Sequence, residues 1–180
     1  MCYRVACVID IKEVIDYFPD LIIYGNIEQL DLGFETTAFI SGHLHKLHPI
    51  IYINREDWRL QVKPMEWGCI PHHVTDEEEF KERRANMLNA RSERVLDDPA
   101  SYWYKIRNRR CLIPITGFYE HKAEPGFDHR IPYYIKHISQ DLFFLPGLYS
   151  VANLYNKNTN QWEPRWTYTL LTRTANSVMR

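Results

Sequence analysis

The sequence lacks the features that are typical of membrane, secreted and zinc-binding proteins. No apolar run reaches the roughly 18 residues that a membrane-spanning helix needs. The N-terminus lacks the basic and then apolar layout of a signal peptide. The 4 cysteines include no C-x-x-C pair and show no zinc-ligand spacing. These absences predict a cytoplasmic protein with reduced thiols and with neither a bound metal nor another cofactor.

The sequence also lacks an excess of charge of one sign. The 22 Lys and Arg are balanced by 23 Asp and Glu, which gives a formal net charge of −1. This balance excludes a broadly basic protein that is held to nucleic acid by bulk charge, but it allows a local basic groove. A basic belt is predicted from Arg83, Arg84, Arg91, Arg94, Lys105, Arg107, Arg109 and Arg110. Aromatic residues make up 14% of the chain, which favours a β-rich core or a stacking surface.

Strand-like segments dominate the 180 residues, and regular helices do not separate them, so a parallel βαβ sheet is not expected. Strands are predicted at 3–11, 34–40, 49–54, 59–68, 110–120, 132–138, 142–150 and 165–174. Short helices are predicted at 12–18, from Asp76 to about Leu88 behind a Thr75 cap, and at 99–107 with Pro99 in the first turn. We predict a single α+β domain over residues 1–180. Its curved, mostly antiparallel sheet should tend toward a barrel, with a few short helices.

Cys2 directly follows the initiator methionine, which is usually removed when the second residue is small. Removal would leave an α-amine with a pKa of about 7.7–8.0 beside a thiol with a pKa of about 8.5. The amine can form an imine with an aldehyde, and the thiol can then close a five-membered thiazolidine ring. An internal cysteine cannot do this because its nitrogen lies in an amide. The thiol can also attack the Met1 carbonyl and release its own leader. The alternative is a cysteine that happens to follow methionine.

Two further motifs carry polar side chains suited to catalysis or binding. Asn89 and Arg91 are two residues apart, so they share a face if the segment is extended. The amide offers a donor and an acceptor, and the guanidinium offers a planar fork for phosphate or carboxylate. The alternative is the polar end of a helix. Glu120 ends an apolar segment that turns at Gly117, where a carboxylate can act as general acid or base. The alternative there is an exposed acid at a strand end.

Other chemically suggestive residues favour structural roles. His43, His45 and His48 could contribute to a metal site, but a polar loop is the preferred interpretation. The Trp67-Gly68 pair is more typical of core and turn than of a ligand platform. The remaining cysteines lie in apolar runs, which predicts buried, inert thiols at Cys7, Cys69 and Cys111.

Taken together, these motifs resemble the SRAP family (SOS-response-associated peptidase). The matching features follow the family order across nearly the whole chain, and the first of them is fixed at residue 2. They are M-C-x-R (Cys2, Arg4), W-G-x-x-P (Trp67 to Pro71), N-A-R-x-E (Asn89 to Glu93), R-C-L-I-P-x-x-G-F-Y-E (Arg110 to Glu120) and L-L-T-x-x-A-N (Leu170 to Asn176).

The resemblance implies covalent crosslinking to abasic sites in single-stranded DNA, as part of the DNA damage response. The mature Cys2 would form a thiazolidine with the ring-opened sugar after loss of Met1 by autoproteolysis or by an aminopeptidase, and AP-lyase activity is an associated expectation. Asn89 would orient the reacting groups, and Glu120 would move protons. The resemblance places Arg4, Trp67, His73, Arg91 and Thr172 at the DNA. No metal, membrane or obligate protein partner is expected.

The chain departs from the family pattern at three places. Tyr3 replaces the usual glycine, which should narrow the space around Cys2 or add a stacking face. His72 and His73 stand where many members have tryptophan. The family's essential histidine would fall a few residues beyond Arg180, which predicts that a C-terminal segment is missing; the alternative is a chain that lacks part of the machinery.

Two functions of other classes remain open. Cys2 could be the nucleophile of a thiol peptidase that acts on other proteins, with Glu120 in its base system. Alternatively, the aromatic residues and the arginine belt could form a non-catalytic module that binds single-stranded nucleic acid.

Overall fold

Strands carry most of the architecture in the computed structural model, which describes residues 2–8, 11–23 and 37–174. The strands are β1 (Arg4–Cys7), β2 (Ile22–Ile23), β3 (Thr37–Ser41), β4 (Leu47–Ile53), β5 (Leu60–Trp67), β6 (Asn89–Arg91), β7 (Arg110–Ile115), β8 (Gly117–Lys122), β9 (Ile131–Ile135), β10 (Phe143–Asn156) and β11 (Gln161–Thr172). The helices are α1 (Ile11–Tyr17), α2 (Glu77–Arg84), α3 (Ser92–Leu96) and α4 (Tyr102–Lys105), with single 3-10 turns at Gly42–Leu44 and Ala85–Met87.

The larger sheet closes into a five-stranded barrel. Its strands follow the order β5-β4-β7-β10-β11, and β11 pairs back onto β5 where Thr167 and Tyr168 lie opposite Glu66 and Trp67. This closing pair is parallel, whereas the other four pairs of the barrel are antiparallel. Strands β2 and β6 extend the sheet by parallel pairing with β5 and β11. The predicted mostly antiparallel fold that tends to a barrel is confirmed.

A second, four-stranded antiparallel sheet has the order β3-β1-β8-β9. The segment 110–120, which the sequence predicted as one strand, is shared between the barrel and this second sheet. The chain leaves the barrel at Thr116, whose N–H donates to the Ala6 carbonyl at 2.9 Å, and continues as β8 in the second sheet. The single-strand prediction was therefore wrong, because one apolar run serves two sheets.

The barrel interior holds the main core. Its largest buried side chains are aromatic and aliphatic, and each contributes roughly 1.5–3 kcal/mol relative to an exposed position. They include Trp67, Tyr168, Ile50, Met65, Ile113 and Ile115.

The prediction for Trp67 requires a correction, because the side chain is 0% exposed. Its Nε1 donates to the Leu88 carbonyl at 2.9 Å, and its ring stacks on Tyr168 with centroids 6.2 Å apart. A side chain without exposed surface cannot stack on DNA, so the predicted DNA contact by Trp67 was wrong. The core alternative describes this residue.

Two of the three predicted helices begin later than the sequence predicted. Asp76, not Thr75, caps α2 by accepting from the Glu78 N–H at 2.9 Å. The helix ends at Arg84 rather than near Leu88. Ser101, not Pro99, caps α4. The predicted strand at 34–36, the Ala175-Asn176 end of the last motif, and the expected missing segment all lie outside the described residues.

The histidines of the 43–48 segment have separate surroundings. The His43 ring stacks on Tyr3 at 5.5 Å, and the His45 Nδ1 lies 2.7 Å from the Trp67 carbonyl oxygen. His48 is buried and forms a hydrogen bond with the Tyr168 hydroxyl. Within the part of the chain that the structure describes, no three His, Cys, Asp or Glu side chains converge to hold a metal ion. No helix there is long and apolar enough to cross a membrane.

Candidate active site

A cleft of about 970 Å³ lies between the four-stranded sheet and the barrel. The side chains that line it come from both sheets, which explains why residues far apart in sequence meet there. From the N-terminal segment, β8, β9 and the residue before β9 come Cys2, Phe118, Glu120, His121, Ile135 and Arg130. From β6, β10, β11 and the two residues after β11 come Arg91, Leu145, Leu170, Leu171, Thr172, Arg173 and Thr174.

Cys2 lies two residues before the start of β1, on the wall of the cleft, with 7% of its surface exposed. Its thiol donates to the Arg4 carbonyl at 3.5 Å. Burial raises the pKa of the Cys2 thiol to about 12, and the negative charge of Glu120 acts in the same direction. The thiol is therefore protonated near neutral pH and needs a base before it can react as a thiolate. The other three cysteines are free and buried, as predicted.

Asn89 fixes the main chain at Cys2. Strand β6 pairs with β11, with Asn89 opposite Leu170, and this pairing holds the amide beside the N-terminal segment. The Asn89 Nδ2 donates to the Cys2 carbonyl at 2.8 Å. Residues 89–91 form strand β6, so the extended alternative describes this segment and the polar helix end does not.

Two buried polar atoms at this site lack a protein partner. The Asn89 Oδ1 and the Thr172 Oγ1 are among four such side-chain atoms in the described part of the chain. A buried polar atom without a hydrogen bond costs about 1–3 kcal/mol, so each such atom needs an explanation. Thr172 lines the cleft. Asn89 is hydrogen-bonded to Cys2, which also lines the cleft. The Thr172 hydroxyl is thus placed to bond a ligand in the cleft, and the Asn89 Oδ1 lies beside the Cys2 main chain.

Glu120 and His121 bring proton-transfer groups to the cleft from opposite sides of β8. Both line the cleft from β8. The His121 Nε2 lies 3.4 Å from the Arg4 Nη1. Because a guanidinium only donates hydrogen bonds, the His121 Nε2 accepts, which leaves the ring proton on Nδ1. Arg4 does not itself line the cleft and is linked to it through His121.

The cleft carries more positive than negative charge. Arg91, Arg130 and Arg173 line it, and Glu120 is the acidic residue among the lining side chains. Within residues 2–8, 11–23 and 37–174, these three arginines have no ion-pair partner. An unpaired cluster of guanidinium groups is suited to phosphate.

Sequence reasoning missed three of these residues, namely His121, Arg130 and Arg173. His121 follows Glu120 and Arg173 follows Thr172, so adjacency to motif residues could have marked both. Arg130 carries no comparable signal, because it reaches the cleft only through the pairing of β8 with β9.

His73, which the sequence placed at the DNA, is exposed outside this cleft. Its ring contacts His72 and Tyr102, with centroids 5.6 and 5.9 Å apart. A DNA contact by His73 stays a prediction. Tyr3 does not line the cleft either, so its ring adds no stacking face there.

Residues 1–180 match the model of a protein family described as SOS response associated peptidase (SRAP). The chain belongs to the SRAP family. It is similar to abasic site processing protein YoqW of Bacillus subtilis, with 34% identity over 164 residues that cover 90% of this chain and 66% of YoqW. It is also similar to abasic site processing protein HMCES of Rattus norvegicus, with 27% identity over 57% of this chain and 28% of HMCES. The SRAP chain described here thus spans just under two thirds of YoqW.

Solved structures show the same SRAP-like architecture. A protein from Bacteroides thetaiotaomicron matches with a TM-score of 0.78 and 25% identity, covering 98% of this chain and 70% of that one. A protein from Bordetella bronchiseptica matches with a TM-score of 0.69 and 19% identity, covering 98% and 74%. The second likeness, at its low identity, shows the fold alone.

Proposed function

We propose that this SRAP protein crosslinks covalently to abasic sites in single-stranded DNA through Cys2. The observation that carries the proposal is the Asn89 amide. Its Nδ2 holds the Cys2 carbonyl at 2.8 Å, while its buried Oδ1 has no partner among the described residues. The names of the relatives, abasic site processing proteins, support DNA lesions as the substrate.

The chemistry begins once Met1 is gone and the Cys2 nitrogen is a free amine. The amine attacks the aldehyde carbon of the ring-opened abasic sugar, and loss of one water gives an imine. The thiol sulfur then adds to the imine carbon, and the thiol proton ends on the nitrogen, which closes a thiazolidine. The reaction as a whole releases one water molecule. Capture by the thiol competes with β-elimination of the 3′ phosphate from the imine, which is the lyase reaction.

The protonation state of the Cys2 thiol supports this order of steps. A Cys2 thiol with a pKa raised to about 12 by burial is a poor first nucleophile near neutral pH. The amine therefore reacts first. Glu120, on the same wall of the cleft, takes the thiol proton and returns it to nitrogen. Release of Met1 by the Cys2 thiol would need the same base, because the sulfur must again lose its proton before it attacks the Met1 carbonyl.

Polar and charged groups around Cys2 position the lesion. The Asn89 Oδ1 accepts from the freed amine, and the Thr172 hydroxyl bonds a sugar hydroxyl. Arg91, Arg130 and Arg173 hold the phosphates on either side. A single strand suits a nucleophile that is only 7% exposed, because reaching it from a duplex would cost a few kcal/mol of unstacking.

A denaturing gel tests the proposal. A uracil-containing oligonucleotide is treated with a glycosylase and incubated with the wild-type protein, Cys2→Ser or Cys7→Ser. Cys7 is the matched control, since it is buried on neighbouring β1 and its thiol donates to the Pro114 carbonyl at 3.5 Å, a bond that serine can keep. We expect a shifted band with wild type and Cys7→Ser and none with Cys2→Ser. An equal band from Cys2→Ser, or none from wild type lacking Met1, contradicts the proposal.

A further inference from the structure

The second sheet has a face that turns away from the core and carries aromatic rings. Along β1 and β3, Val5 and Ile40 are buried, whereas Arg4 and Phe39 lie on the opposite side, with the Arg4 guanidinium 5.2 Å from the Phe39 ring centroid. The row continues across the sheet to Tyr119 on β8 and Tyr134 on β9. We call Phe39, Arg4, Tyr119, His121 and Tyr134 the outer aromatic face.

The rings of this face touch each other from strand to strand. The Phe39 and Tyr119 centroids are 5.7 Å apart, and the Tyr119 and Tyr134 centroids are 5.0 Å apart. Phe39 is nevertheless 54% exposed and Tyr134 47% exposed. Exposed rings that form one continuous row, rather than scattered single residues, are a candidate interaction site.

Tyr134 is held flat against the sheet. A Cβ at Gly117 would lie 2.4 Å from the Tyr134 ring, so only glycine lets the ring lie on the backbone there. The Tyr134 hydroxyl also donates to the Thr116 carbonyl at 3.2 Å. A ring that is already fixed loses little conformational entropy when a ligand stacks on it.

The outer aromatic face is continuous with the cleft. Arg4 lies two residues after Cys2, and its Nη1 reaches the His121 Nε2 at 3.4 Å. His121 in turn lines the cleft beside Glu120. The five residues of the face include one permanent cation and no carboxylate. This charge suits a polyanion that leaves the cleft and runs across the sheet.

We propose that the outer aromatic face binds the single strand that flanks the lesion by stacking its bases on Tyr134 and Phe39. Arg4 contacts a phosphate between the cleft and the stacked bases. The proposal rests on the proposed function, since it takes DNA as the ligand. Exposed rings on a sheet beside a cation are a general means of binding single strands without sequence preference, since every base has a π-face.

Non-covalent binding of an undamaged, labelled single strand tests the face independently of the reaction. Phe39→Ala and Tyr134→Ala should each raise the dissociation constant by at least about fivefold. This factor is the lower end of the range expected for the loss of one stacked base. Tyr134→Phe, which keeps the ring, should bind as wild type does. Trp162→Ala is the matched control, because Trp162 is 60% exposed and pairs with Tyr155 at the far end of the β10–β11 hairpin. It should leave binding unchanged.

A second arm separates stacking from damage to the fold. Base-less spacers replace the bases of the strand while its phosphates stay. Wild type should bind this strand less tightly than the normal strand, whereas Tyr134→Ala should distinguish the two strands less. Thermal unfolding of each variant shows whether it folds. If one of the two alanine variants does not fold, the other decides the result.

Three outcomes overturn the inference. Folded Phe39→Ala and Tyr134→Ala proteins that bind both strands as wild type does would show that the face does not stack bases. Equal wild-type affinity for the two strands would show the same. A wild-type dimer that Phe39→Ala dissociates would assign the face to a second copy of this chain. In each case a Cys2-dependent crosslink on the gel would leave the proposed function standing, and a missing crosslink would remove that function separately.

Discussion

Two groups of arginines in this molecule have opposite surroundings. Arg84 is buried, its Nη1 lies 2.8 Å from a Glu77 carboxylate oxygen, and its Nη2 pairs with Glu66. Arg165 joins the same cluster at 2.7 Å from Glu66. In contrast, the arginines that line the cleft have no ion-pair partner among the residues that the structure describes.

The paired arginines stabilise the fold, whereas the arginines at the cleft are available to bind a ligand. In the first group, carboxylates neutralise each cation, and the Arg84 Nε donates to the Gly68 carbonyl at 3.0 Å. These charges stabilise the chain around α2 and β5 and have no capacity left for a ligand. At the cleft, the arginines are exposed and keep their charge and hydrogen-bonding capacity available for a ligand. Such capacity is expected where a charged substrate completes the site.

The largest effect on stability should come from breaking the paired cluster. Arg84→Met leaves Glu66 and Glu77 without their buried partner, and loss of one member of a buried pair costs about 3–5 kcal/mol. Urea unfolding measures this loss. Arg165→Met, at a more exposed position, is the control and should cost less. A loss below about 1 kcal/mol for Arg84→Met would place this cluster among ordinary surface pairs.

The buried His48 should make stability depend on pH. Burial lowers the pKa of His48 from 6.5 to about 4. The unfolded chain then binds more protons between these values, so stability is full above pH 6.5 and falls as the pH drops toward 4. The loss should reach about 3 kcal/mol. Urea unfolding of His48→Gln should show a flatter pH dependence than wild type, and parallel curves would contradict the assignment.

At the cleft, the effects should shift from stability to DNA binding. Arg91→Gln should change the free energy of unfolding by less than about 0.5 kcal/mol. It should lower the salt dependence of single-strand binding by about 0.7 in log–log slope, which corresponds to one phosphate contact. Arg94→Gln is the matched control, because Arg94 is exposed and pairs with Asp98 at 3.5 Å on α3. An identical change in slope for both variants would erase the contrast between paired and unpaired arginines.

No loss of stability is expected from Thr172→Val. Removing a buried hydroxyl without a partner should leave stability unchanged or raise it by up to about 1 kcal/mol. Crosslinking should slow by about fivefold, since one hydrogen bond to substrate is lost. Thr169→Val is the matched control, because the Thr169 hydroxyl on β11 is also buried without a partner among the described residues but does not line the cleft. If both variants slow crosslinking equally, Thr172 has no special role.

Much of the site could be predicted because its residues lie within short motifs. The position of Cys2 after methionine and the two-residue spacing of Asn89 and Arg91 indicate their chemistry without knowledge of distant contacts. The alternating and apolar segments likewise predict a mostly antiparallel sheet. The structure adds that these motifs meet at one cleft, since β6 pairs with β11 beside the N-terminal segment.

The remainder depends on contacts between distant parts of the chain. The sequence placed Arg84 and Arg91 in one basic belt, but partners at Glu66 and Glu77 remove Arg84 from it. Trp67 became a core residue because β11 closes the barrel against β5. The outer aromatic face likewise depends on the pairing of Tyr119 with Tyr134 across two strands. Local pattern carries no information about these partners.

Mass spectrometry of the crosslinked N-terminal peptide tests the central claim most directly. The protein is reacted with abasic single-stranded DNA, unfolded, treated with a thiol-alkylating reagent and digested. We predict a peptide that begins at Cys2, carries the DNA with the loss of one water, and resists alkylation because its sulfur lies in the thiazolidine ring. An adduct that retains Met1, lies on another residue or leaves the Cys2 thiol open to alkylation would contradict the account.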